Sequence, residues 1–296
     1  SSDVCSSDLS SWVYALLVKI MKKMVLIEIK HCIDRAEYKV VFIALMILNI
    51  ASYILCVKND IGKSYQFIRS ANENFVLQGT EAAYIPYIMY LLLPVYATII
   101  ASLSLIREEK SNSSILLIQR IGKKKYLAGK LFGILIVTFL TITIPMLINL
   151  LLCHLTYPIH GYDSAWGEPD YAIGLVSYNA DNFLDMVRLQ HPTLYNLIYI
   201  FNYGIFGSGL AILAYALSYY NKMKVLYFAK IPGALFIFYI VFNLIVSVFG
   251  LNEFSIQGYI MPNVHGNIIG EIVLILLIFG LSIGIIQRKI KNYEVI

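Results

Sequence analysis

The sequence predicts an all-α integral membrane protein with six transmembrane helices. Of its 296 residues, 59% are hydrophobic and 14% are charged, and the mean hydropathy is +0.71. Soluble domains carry about 45–50% apolar and about 25% charged residues. Six apolar runs approach or exceed the roughly 20 residues that a helix needs to cross the hydrocarbon core. Basic residues also concentrate in alternate connections between these runs, as they do in membrane proteins.

The six predicted spans are separated by connections of unequal length. The first span is the shortest, but it is apolar throughout. The longest connection, 156–196, lies between the third and fourth spans and contains five acidic residues against Arg188 alone. The predicted spans cover residues 40–57, 85–106, 131–155, 197–217, 232–250 and 268–286.

The basic residues predict the orientation of the chain. Of the 23 Lys and Arg residues, 19 lie before the first span, in the second and fourth connections, or after the last span. The other connections hold only Lys58, Lys63, Arg69 and Arg188. Positive charge collects on the cytoplasmic side, so both termini are expected to be cytoplasmic. The net charge of +5 is then explained by the orientation of the chain in the lipid bilayer, which is its expected partner. No nucleic-acid partner is expected.

We expect three parts in the chain. Residues 1–9 are expected to be foreign, 10–39 to form a cytoplasmic segment with an amphipathic helix, and 40–296 to form the six-helix transmembrane domain. The sequence of 1–9, "SSDVCSSDL", equals a reading-frame translation of a common sequencing-adapter oligonucleotide; a short natural tail is the alternative. The native start is then expected at Met21 or Met24.

The segment before the first span has the pattern of an amphipathic helix. One helical face carries Val25, Ile29, Cys32, Ile33 and Ala36, and charged residues fill much of the remainder. Such a helix lies in the membrane interface with its apolar face toward the acyl chains. A solvated, frayed leader is the alternative.

The connection 107–130, "REEKSNSSILLIQRIGKKKYLAGK", combines four features in order. It begins with the acidic pair Glu108 and Glu109, and serines that can cap a short helix follow. Next comes an apolar patch of Ile115, Leu116 and Ile118. A basic run with an aromatic residue follows and contains Lys123, Lys124, Lys125, Tyr126 and Lys130. Gly129 and Gly133 form a Gly-x-x-x-Gly step, which permits close helix approach. The basic and aromatic residues suit a lipid headgroup region.

This order, with six spans and an interfacial helix before the first, resembles the permease subunits of type 2 ABC exporters. In that family an acidic stretch and a short coupling helix precede an aromatic-x-x-x-Lys entry into the third span. Tyr126 and Lys130 match the entry, and Glu108 and Glu109 match the acidic stretch, whereas "SNSS" replaces the family's Gly-Thr. The resemblance implies a dimer of permeases in a bacterial cell membrane, with a separate ABC ATPase subunit that contacts Glu108, Glu109, Ile115, Leu116 and Ile118.

The chain lacks a phosphate-binding loop of its own. Gly62, Lys63 and Ser64 match the end of GxxxxGK[ST], but Val57 occupies the position of the leading glycine. ATP and magnesium are therefore expected on the partner subunit, and this chain is expected to bind no cofactor and not to be an enzyme. His154, His160 and Asp163 do not have diagnostic metal-ligand spacing, and we predict no metal site.

Polar and small residues inside the spans are the remaining candidates. Thr138, Thr141, Pro145 and Asn149 share one face of the third span and predict either a substrate pathway or hydrogen bonds between helices. Glu271 either lies at the interface or lines an exit path. Close helix packing, rather than a serine nucleophile at Ser208, is expected at four further positions: Gly207, Ala211, Gly280 and Gly284.

Two other function classes remain open at this point. A sensor or immunity protein that binds a ligand through the acidic outer connection would function without an ATPase. An intramembrane enzyme would need paired catalytic side chains inside the spans, and the sequence offers none. The transported substrate is not indicated by these residues.

Overall fold

The computed structural model describes residues 22–64, 68–111, 119, 122–159, 178–218 and 227–292. These residues form helices, short turns and one isolated bridge, and none of them belongs to a β-strand. The helices in chain order are α1 (22–33), α2 (Ala36–Asp60), α3 (Tyr84–Ser111), α4 (Lys123–Thr156), α5 (Asp185–Gln190), α6 (Pro192–Ser218), α7 (Tyr227–Val248), α8 (Ile256–Ile260) and α9 (Ile268–Asn292).

Six of these helices are long and apolar enough to cross a membrane, which confirms the predicted all-α, six-span class. They are α2, α3, α4, α6, α7 and α9. Each observed helix contains most of its predicted span and extends past it on at least one side. Helix α6, which is the fourth span, begins at Pro192, whereas its predicted span begins at Leu197.

Helix α6 is the centre of the bundle. It packs against α3, α4 and α9, and 78% of its apolar stretch is buried, against 22% in α7 and in α9. Small residues allow these close contacts. A side chain at Gly204 would overlap Phe139 and Thr143 of α4, and one at Gly207 would overlap Ile142 of the same helix. The outer surfaces of α2, α7 and α9 expose Ile, Leu and Phe side chains, as expected of helices that face lipid.

The connection between α2 and α3 is not a solvated loop. Residues 68–79, called here the buried segment, fold back between α2, α4 and α6, and a single-turn 3₁₀ helix (Thr80–Ala82) follows. Phe75, Val76 and Ala71 are fully buried, and Asn72 and Asn74 are 2% exposed. Its main chain closes tight turns, such as the 2.7 Å bond from Gly79 N–H to Phe75 O. The sequence had predicted only a connection here.

A cap of short elements covers the same end of the bundle. It contains α5, α8 and a 3₁₀ turn (Asn252–Phe254). The bridge from Asn182 to His265 joins the long third connection to the last one, and the Phe183 ring meets Tyr259 edge-on at 5.1 Å. Within this cap Arg188 Nε donates to the buried Asp185 carboxylate at 2.6 Å. Residues 160–177 of the predicted outer connection lie outside the described residues.

Candidate functional site

At the predicted cytoplasmic end, α1 is held against the start of α4. Two glycines of α4 face α1 with no space for a side chain. A Cβ at Gly129 would lie 2.8 Å from the Met24 Cβ, and one at Gly133 would lie 2.7 Å from the Glu28 Cβ. The two glycines of the Gly-x-x-x-Gly step therefore contact α1 at two positions, one helix turn apart. The position of α1 in a membrane interface stays a prediction.

Lys130 is buried beside this contact. It is 1% exposed, and Tyr126 is 5% exposed. The Lys130 Nζ atom lies 5.7 Å from the centre of the Tyr126 ring and 5.6 Å from that of Tyr215 on α6. An ammonium over aromatic faces is attracted by the ring quadrupole. The sequence predicts both residues as interfacial anchors. In the structure both are buried, and the contact of Lys130 with the Tyr215 ring connects α4 to α6.

Buried polar groups of α1, and Arg35 in the turn that follows it, complete this end. Glu28 is 7% exposed, Arg35 is 6% exposed and Cys32 is 1% exposed. Burial, together with the neighbouring Glu28 carboxylate, raises the pKa of the Cys32 thiol from 9.0 to about 12. The thiol is therefore neutral and unreactive at physiological pH, since the thiolate is the nucleophilic form.

The remaining residues of the predicted coupling segment are only partly described. Glu108 and Glu109 belong to the last turns of α3, and Lys123, Lys124 and Lys125 begin α4. The predicted apolar patch lies outside the described residues: Ile115, Leu116 and Ile118.

The polar face of the third span is buried, and its Asn149 bonds to neighbouring elements. The Asn149 side chain donates to Asn49 O of α2 at 2.7 Å and accepts from Val76 N–H of the buried segment at 2.9 Å. The Thr141 hydroxyl donates to Val137 O of its own helix at 2.6 Å. Thr138 and Pro145 are buried as well. Of the two readings that the sequence left open, the hydrogen bonds of Asn149 support contacts between helices.

Asn196 makes the equivalent contact from α6. Its amide nitrogen donates to Asn72 O at 3.1 Å, and its oxygen accepts from Gln78 Nε2 at 2.5 Å. The buried segment is therefore held by two asparagines, one from α4 and one from α6. Sequence reasoning missed Asn196, although an asparagine near the end of an apolar span was a visible signal.

A cluster of tyrosines occupies the middle of the bundle between α3, α6 and α7. Tyr203 is fully buried, Tyr239 is 1% exposed, and the rings of Tyr90 and Tyr239 lie 5.4 Å apart. The Tyr96 hydroxyl donates to Met89 O at 3.1 Å. The Tyr203 hydroxyl faces that of Tyr96, and the Tyr239 hydroxyl faces that of Tyr90. Among the described residues, neither the Tyr203 nor the Tyr239 hydroxyl makes a hydrogen bond of good geometry.

The depth of this cluster follows from helix geometry. Tyr203 is eleven residues into α6, about 16 Å along an axis that rises about 1.5 Å per residue, and the hydrocarbon core is about 30 Å thick. Tyr203 therefore lies near the middle of α6, and the cluster lies at that level of the bundle. The sequence carried a signal for it, because Tyr195, Tyr199 and Tyr203 recur every four residues on one helical face.

The remaining predicted positions fall into two groups: some contact other helices of the bundle, and two glycines of α9 do not. Glu271 is half-buried in the first turn of α9 and faces the Asn202 amide of α6. Gly207 and Ala211 lie in the α6 core. No described heavy atom lies within 4 Å of a Cβ placed at Gly280 or Gly284. Any close packing at these two glycines must therefore come from outside the described part of this chain.

No family model, no curated protein and no solved structure matches this chain. Among the residues that the structure describes, no three His, Cys, Asp or Glu side chains group closely enough to hold a metal ion. The candidate site is thus defined by contacts alone, at three levels of one helical bundle. These are the α1–α4 contact, the tyrosine cluster and the buried segment with its two asparagines.

Proposed function

We propose that this chain is the membrane-spanning permease subunit of a type 2 ABC exporter in a bacterial cell membrane. A separate ABC ATPase subunit would bind ATP and magnesium, and a second permease subunit would complete the transporter. The observation that carries this proposal is the attachment of the third span's entry to its neighbours. Gly129, Gly133 and Lys130 join the start of α4 to α1 on one side and to α6 on the other.

The attachment suits a part that transmits force. Residues 107–122 lie directly before α4, and the proposed ATPase would press on them when its two copies close on ATP. Because α4 is packed tightly against α1 and α6, a push on its start would move these helices together. Helix α6 contacts α3 and α9 as well, so the displacement would reach most of the bundle.

The tyrosine cluster supports a polar path through the same bundle. A buried hydroxyl without a well-formed hydrogen bond costs up to roughly 1–3 kcal/mol, and water or a polar solute can offset that cost. Separation of α7 from α3 and α6 would expose Tyr90, Tyr203 and Tyr239 to such a solute. The substrate would pass between two permeases, and its chemical class is left open.

Co-expression tests the proposal directly. The chain is produced with an ATPase encoded by an adjacent gene, and both copurification and ATP hydrolysis in lipid vesicles are measured. We expect the pair to copurify, and we expect Glu108→Lys with Glu109→Lys to reduce copurification or hydrolysis at least tenfold. Glu81→Lys, an exposed acid at the opposite end of the bundle, is the matched control and should leave both unchanged.

Two results would count against the proposal. Equal loss in the Glu81→Lys control would show a general effect of charge reversal and not a contact at Glu108 and Glu109. A biological activity that persists in cells without any ATPase partner would instead favour the sensor or immunity class.

A further inference from the structure

Two cysteines that are far apart in sequence meet in a small apolar cluster of their own. Cys56 of α2 and Cys153 of α4 are both fully buried, and Ala71 and Tyr157 complete the cluster. Both are free thiols in the structure. Their sulfur atoms approach the same main-chain oxygen, that of Asn74, at 3.8 Å and 3.4 Å. The two sulfur atoms therefore lie close together, separated by no more than the sum of these two distances.

The position of the pair along the helices bears on its chemistry. Cys56 lies one turn before the end of α2, and Cys153 lies one turn before the end of α4. The distribution of Lys and Arg assigns these ends to the outer side, so the inference rests on that predicted orientation. Disulfides persist outside the cytosol and are rare within it. The third described cysteine, Cys32, lies at the opposite end of the bundle.

We propose that Cys56 and Cys153 form a disulfide bond that joins α2 to α4. The oxidant would be a second disulfide, carried by a small molecule or by an envelope thiol–disulfide oxidoreductase. One cysteine thiolate attacks that disulfide, forms a mixed disulfide and releases one thiol. The other cysteine thiolate attacks the mixed disulfide, forms the Cys56–Cys153 bond and releases the second thiol. The two protons lost by the cysteines are taken up by the two departing thiolates.

Formation of the bond requires the two sulfur atoms, which are free thiols in the structure, to move together. A disulfide has an S–S distance of about 2.05 Å, so the two side chains must turn toward each other beside Asn74 O. That oxygen then loses two S–H donors, which are weak. Because both sulfur atoms are fully covered in the folded chain, oxidation would occur before the buried segment packs over them. The product is a structural cross-link that closes a loop of about 100 residues and fixes the spacing of the first and third spans.

Peptide mass spectrometry of the full chain extracted from membranes tests the proposal. Free thiols are alkylated in denaturant without reductant, and the sample is then reduced and treated with a second alkylating reagent of different mass. We expect Cys32 to carry the first label and Cys56 and Cys153 to carry the second. A linked peptide two hydrogens lighter than its parts should appear before reduction. In Cys153→Ser, Cys56 should carry the first label.

The result that overturns the proposal is the first label on both Cys56 and Cys153 in the chain extracted from membranes. Orientation is checked separately in a cysteine-free background that carries either Asn59→Cys or Lys30→Cys. Both positions are exposed, and a membrane-impermeant maleimide on intact cells should label only Asn59→Cys. If Asn59→Cys is labelled while the native pair stays reduced, the disulfide is rejected and the orientation stands. Labelling of Lys30→Cys alone would reject the orientation, and with it the reason given for the disulfide.

Discussion

The side-chain amide of Asn149 on α4 donates to the main-chain oxygen of Asn49 on α2 across 2.7 Å. The same side chain accepts from Val76 N–H at 2.9 Å. Both Asn49 and Asn149 are 1% exposed, so water cannot replace these bonds. One amide thus fixes two spans and the buried segment relative to one another.

Replacement of this amide should destabilise the bundle. Asn149→Leu keeps the number and branching of the side-chain heavy atoms. In this variant the Val76 N–H loses its acceptor and the Asn49 oxygen loses its side-chain donor, and water cannot reach either group. A buried polar group left unsatisfied costs about 1–3 kcal/mol, so we expect a loss in that range in SDS-titrated unfolding of the detergent-solubilised chain. Asn59→Leu, at an exposed position near the end of α2, is the control and should change stability by less than about 0.5 kcal/mol. Equal effects of the two variants would contradict the role given to Asn149.

The α1–α4 contact predicts a similar contrast between two glycines. Gly133→Leu places a side chain where the Glu28 Cβ lies only 2.7 Å from the added Cβ, whereas no described atom lies within 4 Å at Gly233 of α7. Overpacking costs typically about 1–3 kcal/mol, so Gly133→Leu should release α1 and Gly233→Leu should not. Limited proteolysis in residues 22–33 measures the release. Faster cleavage in Gly133→Leu with unchanged cleavage in Gly233→Leu is the expected result, and equal rates would contradict the contact.

Much of the fold was predictable because a membrane span is a local property of the chain. About 20 apolar residues suffice to identify it, and the run predicted at 131–155 lies within α4 (Lys123–Thr156). The buried segment was not predictable in this way. Its asparagines and glutamine have the composition of a loop, and their burial depends on Asn149 and Asn196, which lie more than 70 residues away in sequence.

Two residues of the candidate site also have surroundings that the local sequence does not predict. Lys130 and Tyr126 have the sequence pattern of a headgroup anchor, and nothing local reveals that Tyr215 of α6 supplies a second aromatic face. The tyrosine cluster was open to prediction in part, from the four-residue spacing of Tyr195, Tyr199 and Tyr203. Its partners on α3 and α7 depended on how the helices pack, which sequence periodicity does not give.

The tyrosine cluster predicts opposite effects on stability when the hydroxyl is removed from Tyr96 and when it is removed from Tyr203. Tyr96→Phe loses the 3.1 Å bond to Met89 O and should cost about 1 kcal/mol. Tyr203→Phe removes a hydroxyl that makes no bond of good geometry and should be neutral or stabilising by up to about 1 kcal/mol. Thermal unfolding of the two variants in detergent provides the comparison. A larger loss in Tyr203→Phe than in Tyr96→Phe would show that the Tyr203 hydroxyl is hydrogen-bonded in the folded chain.

The raised pKa of Cys32 predicts its reactivity and its effect on stability with pH. Burial and the nearby Glu28 carboxylate raise this pKa from 9.0 to about 12. The thiolate fraction at pH 8 should therefore be roughly 1,000-fold lower than for an ordinary cysteine. Maleimide should modify Cys32 far more slowly than a cysteine at exposed position 30, placed by Lys30→Cys in a Cys32→Ala chain. Both should react at similar rates in SDS.

The sign of the stability effect follows from proton binding. Below about pH 8 the thiol is protonated in both folded and unfolded chains, and its contribution does not vary with pH. Above pH 9 the unfolded chain loses the proton while the folded chain keeps it, so the free energy of unfolding falls as pH rises toward 12. Cys32→Ala should remove that part of the fall between pH 9 and pH 11 in SDS-titrated unfolding. An unchanged slope in Cys32→Ala, or rapid maleimide labelling of native Cys32 at pH 8, would show that the thiol is not held neutral by α1 and its neighbours.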